Sequence, residues 1–222
     1  MDYIKQLILN RFKIFALVSV SMLLSIVLLM IRMKLTHSFF YLFLVWNLFL
    51  AVIPYTITNY LVSIPKLNKI GFVLGFSIWL LFLPNAPYII TDLMHLKIST
   101  THLLWLDILV IMAFAFNGLL LFYLSLIDMK NKLTTYLNKS LTNYTIIGML
   151  FLSAFGVYLG RFLRYNSWEL LSNPKYLCID IINIVVKPFE NKEVWLFTIL
   201  FGTFLSVGFW IFETLTNSKT KQ

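Results

Sequence analysis

Asp92 and His95 stand three residues apart, a spacing that puts a carboxylate and an imidazole on one face of a helix. Such a pair can move a proton as a general base or offer two ligands to a metal. Asp107 and Arg161 are ionisable residues inside apolar stretches. Each costs about 2.5–3.5 kcal/mol at mid-span on insertion scales unless it is paired or used. A buried Asp107–Arg161 pair across helices is the expected compensation. Arg161 and Arg164 are again three apart and, with Tyr165 and Trp168, make a cationic, aromatic helix end. Two guanidinium groups facing a helix N-terminus at Asn85 would suit a phosphate or carboxylate. Snorkelling arginines beside an interfacial aromatic belt produce the same pattern without a ligand. The candidate binding residues are therefore Asn85, Tyr88, Asp92, His95, Asp107, Arg161, Arg164, Trp168 and Glu169. No residue is assigned as catalytic. His102 and Glu169 complete no recognisable metal spacing, so neither metal nor cofactor is expected, and no nucleophile elbow, His-Glu-x-x-His or P-loop occurs.

The elements that carry these residues follow from composition. The 222 residues are 60% hydrophobic and 12% charged, with a mean hydropathy of +0.85. A soluble domain carries about 25% charged residues, and disorder needs still more charge and less hydrophobicity. Both classes are excluded, leaving an all-α, polytopic transmembrane bundle that forms a single domain. Spans of about 20 apolar residues cross a core of about 30 Å, and six stretches fit, near 14–31, 39–62, 70–83, 103–127, 144–163 and 194–212. The third is too short to cross alone and ends in Pro84-Asn85-Ala86-Pro87, where two prolines cannot share an undisturbed helix interior. It is expected to be broken or kinked there. A second short helix then starts with Asn85 as N-cap and runs to 96.

Between the fifth and sixth spans, 176–187 reads as an interfacial helix. Asp180, Asn183 and Lys187 form its polar face, with Leu177, Ile181, Ile184 and Val185 opposite. Cys178 in this segment is expected to be a small buried hydrophobe. Asn117, in the fourth span, reads as an inter-helix hydrogen bond. Gly71/Gly75 and Gly156/Gly160 are small-residue pairs suited to close helix packing.

The first apolar run is longer than a signal h-region and is read as an uncleaved span. With six spans both termini share a side. That side holds ten of the 18 Lys and Arg residues, so it is read as cytoplasmic. The basic residues lie scattered between apolar runs with no basic stripe, which argues for anionic lipid and topology control over nucleic acid. Under this topology the candidate residues gather at the outward side of the membrane.

Phe82-Leu83-Pro84-Asn85-Ala86-Pro87-Tyr88-Ile89-Ile90-Thr91-Asp92-Leu93-Met94-His95-Leu96 and Gly160-Arg161-Phe162-Leu163-Arg164-Tyr165-Asn166-Ser167-Trp168 resemble a family of small bacterial multi-span proteins known only as a domain of unknown function. The resemblance covers most of the chain and implies a multi-pass protein of a bacterial cytoplasmic membrane. It supplies no activity and no site residue. Three functions are open. The first is an outward polar site that binds or transports an anionic small molecule or lipid headgroup. The second is a membrane-embedded enzyme acting on lipid or cell-envelope substrates, with Asp92 or His95 as base. The third is a non-catalytic assembly subunit whose protein partner the residues do not name.

Overall fold

In hydrocarbon every backbone amide needs a partner within its own segment, so long apolar runs become helices. A computed structural model describes residues 6–7, 9, 11–64, 67–98, 101–165 and 174–218, and contains no strand among them. Its helices are α1 (Phe12–Thr36), α2 (Phe43–Ser63), α3 (Lys69–Phe82), α4 (Asn85–Tyr88), α5 (Leu104–Leu133), α6 (Lys139–Arg161), α7 (Pro174–Val186) and α8 (Lys192–Ser218). Six helical stretches among the described residues are long and apolar enough to cross a membrane. The chain is an integral, multi-pass membrane protein. Large apolar side chains such as Leu23, Met30, Phe49, Val73 and Leu200 lie exposed along these helices, as lipid contact demands. Two asparagines set helix starts: the Asn68 and Asn138 carboxamides accept from the Gly71 and Leu141 amides, each at 2.8 Å.

The chain divides into two compact units, Met1–Lys132 and Leu133–Gln222. In the first, α2 packs against α3 and α4, and Gly75 lets α3 approach Leu61 of α2. Trp79 of α3 is fully buried and donates its indole N–H to Ser125 of α5 at 2.8 Å. The Ser125 hydroxyl in turn donates to the carbonyl of Pro54, inside α2, at 3.1 Å. One hydroxyl thus ties three helices.

The third span is interrupted where expected, α3 ending at Phe82 and α4 starting at Asn85, and its details differ from the expected form. The chain stays right-handed through Leu83 and Pro84, so Lys69–Lys97 runs on as one helical stretch. Asn85 is the first helical residue and not the N-cap; Pro84 takes that position, without a side-chain cap. Beyond Tyr88 the segment Ile89–Ile98 is a 3-10 helix. Two causes combine here. Pro87 offers no N–H to the preceding turn. The β-branched run Ile89-Ile90-Thr91 has modest α propensity, and the Thr91 hydroxyl bonds the Tyr88 carbonyl at 2.7 Å. Gly118 of α5 faces this turn: a Cβ there would collide with the Ala86 carbonyl oxygen.

In the second unit α6 and α8 pack along their lengths. Gly202 faces the Phe151 ring, leaving no room for a Cβ. Trp195 stacks on Phe155 with ring centres 6.2 Å apart. The helix expected at 176–187 is present as α7, and its expected faces hold except at two positions: Asn183 and Lys187 are exposed, but Asp180 turns partly inward and Val185 outward. Leu177 and Ile184 are buried, Asp180 and Ile181 half-buried, and Ile182, Val185 and Val186 exposed. Cys178 is also exposed. In a lipid solvent an exposed position suits a small apolar thiol as well as a buried one.

Candidate functional site

Arg32 lies near the end of α1 and Asp107 in the first turn of α5, and both are almost fully buried. The Arg32 Nε donates to Asp107 Oδ1 at 2.9 Å. Its Nη1 donates to the Ser38 carbonyl at 3.2 Å, and the guanidinium sits over the Tyr41 ring, 4.5 Å from its centre. Tyr41 continues into an aromatic patch: its ring is 5.1 Å from Phe40 and 6.1 Å from Phe43. Phe43 lies 4.8 Å from the His95 imidazole. The Nδ1 of His95 donates to the Asp92 carbonyl at 3.2 Å, because a carbonyl can only accept. The Asp92 carboxylate is completely buried; Asn47 donates to its Oδ2 at 2.8 Å, and its Oδ1 is 3.7 Å from His95 Nδ1. A connected layer thus runs from Asp107 through Arg32, the rings and His95 to Asp92. Asn85 and Tyr88 are half-buried in α4.

Within the layer Arg32 and Asp107 form a buried ion pair. The Arg32 guanidinium is spent on Asp107, so it has little attraction left for an external anion. Among the described residues no three His, Cys, Asp or Glu side chains gather as metal ligands.

The opposite end of the same two helices holds a second pair. Arg11, just before α1, bonds Asp128 near the end of α5 and donates to Asn59 Oδ1 at 3.3 Å. Arg11 and Arg32 are 21 residues apart, and so are Asp107 and Asp128. At about 1.5 Å per residue this is about 31 Å, one hydrocarbon thickness. Between the pairs, Asn117 donates to Ser25 Oγ at 2.9 Å and to the Ser21 carbonyl at 3.2 Å. The expected inter-helix role of Asn117 is therefore met, and the α1–α5 seam is stitched at both ends and in the middle.

In the second unit α6 ends at Arg161, which is half-buried. Arg164, three residues on, is exposed and has φ of 61°, the left-handed conformation that glycine usually takes after a helix. It allows the chain to fold back, so that the Tyr165 amide donates to the Leu159 carbonyl at 3.1 Å. The Tyr165 hydroxyl then donates to Asp180 Oδ2 of α7 at 2.6 Å. The Arg164 side chain stands at the surface of this turn. A groove of about 480 Å³ opens between α6 and α8, lined by Tyr158, Phe162, Glu193, Phe197, Phe201 and Phe204 among others; Phe162 stands two residues before Arg164 in the chain.

Of the candidate residues, Asp92 and His95 lie together, and both share the layer with Asp107. Asp107 takes Arg32 as its guanidinium, where the sequence reading expected Arg161. Arg161 and Arg164 share one turn of the second unit. Trp168 and Glu169 lie outside the described residues. Arg11, Arg32, Tyr41, Asn47, Asn59 and Asp128 were not anticipated, although the two equal spacings of 21 were there to be read. Residues 46–207 match the protein family described as "Protein of unknown function (DUF1361)". No curated protein and no solved structure matches the chain.

Proposed function

We propose, on the premise that the chain belongs to the family described as "Protein of unknown function (DUF1361)", that it binds an anionic lipid headgroup through Arg161 and Arg164. The carrying observation is the placement of Arg164. An exposed guanidinium occupies a left-handed position that a glycine would fill at lower conformational cost. Arg161, one turn back, adds a second cation on the same helix end. The donor fork of each guanidinium suits the oxygens of a phosphate. The membrane is the bacterial cytoplasmic membrane, with both termini on the cytoplasmic side. In that topology the end of α6 faces outward, and the headgroup belongs to the outer leaflet.

A second reading has its own support. In the first unit the carboxylates take partners from the protein itself, Arg32 for Asp107 and Asn47 for Asp92. This favours a structural role for that layer, as in an assembly subunit, over a ligand site lined by acids.

The test is lipid retention. The protein is purified into detergent with equal phosphatidylglycerol and phosphatidylcholine, and bound lipid is counted by native mass spectrometry. Phosphatidylglycerol should be retained preferentially. Arg161→Gln with Arg164→Gln should abolish the preference while the protein stays monodisperse. Asp92→Asn should leave it intact. Displacement of the lipid by millimolar inorganic phosphate would instead assign the site to a small soluble anion. No preference in the native protein overturns the proposal.

A further inference from the structure

We infer that the aromatic groove between α6 and α8 holds one hydrocarbon chain of the lipid whose headgroup Arg161 and Arg164 bind. The inference rests on the headgroup reading and adds the class of ligand: a two-part lipid, recognised by charge at one end and by chain along the other.

The groove is preformed by rings that brace one another. Tyr158 stacks on Phe162 at 4.6 Å, Phe162 meets Phe197 edge-on at 5.5 Å, Phe197 stacks on Phe201 at 5.1 Å, and Phe201 on Phe204 at 5.9 Å. Aromatic side chains lose little rotamer freedom on binding, so such a wall binds without much reordering. Its volume of about 480 Å³ falls within the range of ligand pockets, about 300–1,000 Å³.

The length of the groove identifies its occupant. From Glu193 to Phe204 is 11 residues, about 16 Å at about 1.5 Å per residue. That is half of a hydrocarbon core of about 30 Å. A neighbouring transmembrane helix packs along the whole core, whereas a lipid of one leaflet occupies half of it. The groove also starts at the charged end, since Phe162 lies between Arg161 and Arg164 in sequence. Glu193 lies at this same end, within electrostatic reach of Tyr158. A carboxylate repels an anion but accepts from hydroxyls, so the headgroup that fits carries both a phosphate and a hydroxyl, as phosphatidylglycerol does.

The experiment separates chain from head. Phosphatidylglycerol with a photoreactive diazirine at mid-chain is incorporated into nanodiscs with the full-length protein, and labelled residues are mapped by mass spectrometry. Labelling should concentrate at 196–204 and exceed that on the exposed α1 residues Leu23, Leu24 and Met30 by at least fivefold. Leu200→Trp, which fills the groove, should reduce that labelling severalfold and leave the preference for phosphatidylglycerol in place. Arg161→Gln with Arg164→Gln should let a phosphatidylcholine probe label the groove equally well. Labelling spread evenly over α1 and α8 overturns the groove and leaves the headgroup reading standing. Efficient disulfide dimerisation of Leu200→Cys in a Cys178→Ser background also overturns it, because a second copy of the chain then fills the groove.

Discussion

The two units solve one packing problem with different materials. In the first, α1 is the least buried of the spans among the described residues, yet it is fastened to α5 by Arg11–Asp128, Asn117–Ser25 and Arg32–Asp107. In the second, α6 and α8 meet through rings and a glycine, and the buried Ser153 and Thr198 hydroxyls have no partner among the described residues. Lipid tails are as apolar as leucine, so burying greasy surface drives neither association. What remains is directed pairing or close steric fit. The first unit relies chiefly on pairing and the second on fit, and the two respond differently to substitution.

The sharpest contrast comes from breaking a pair. Arg32→Leu leaves Asp107 buried beside a side chain that cannot neutralise it, at a cost of about 3–5 kcal/mol. Asp107→Leu in the same chain should restore most of that loss, since the remaining surface is then apolar throughout. Thermal unfolding of the purified variants in nanodiscs reads both effects. A single variant as stable as the native protein would remove the distinction drawn between the units.

A smaller effect compares the two close glycines. At Gly118 an added methyl meets the Ala86 carbonyl, part of a helical backbone that cannot move alone. At Gly202 it meets the Phe151 ring, which can rotate away. Overpacking costs about 1–3 kcal/mol. Gly118→Ala should fall at the upper end and Gly202→Ala at the lower, by the same unfolding measurement. Equal losses would mean that steric fit is as unforgiving in the second unit as in the first.

Much of the fold was legible because hydrocarbon leaves few options: apolar runs of sufficient length had to be helices, and Pro84 and Pro87 marked where the third span changes. Its 3-10 continuation was not legible, since it depends on local competition among Pro87, Ile89, Ile90 and the Thr91 hydroxyl. The partner of Asp107 was missed for a different reason. Arg32 near a span end reads as an ordinary snorkelling cation, and sequence alone does not say which helix lies beside which. Cys178 was misread because burial habits learned from water were applied to lipid, where apolar side chains face outward at no cost. On α7 one polar position departed from its expected face: Asp180 is half-buried and accepts from the Tyr165 hydroxyl, a contact between segments that periodicity within one helix does not reveal.

The smallest effect bears most on function. If Arg164 served only to end α6, glycine would serve better. Arg164→Gly should then raise stability by about 0.5–1 kcal/mol: the left-handed penalty of about 1 kcal/mol or more, less the freedom glycine adds to the unfolded chain. Arg164→Ala keeps the strained backbone and should gain nothing. Both variants remove the guanidinium, so both should lose the preference for phosphatidylglycerol to the same degree. Stability rising in one variant and unchanged in the other, with lipid preference lost in both, would mean that the arginine is held at a conformational cost for the sake of its charge. If Arg164→Gly gains stability and still retains phosphatidylglycerol preferentially, the turn is a helix end and nothing more. The comparison then narrows to Arg161, whose half-buried guanidinium would have to hold the headgroup alone.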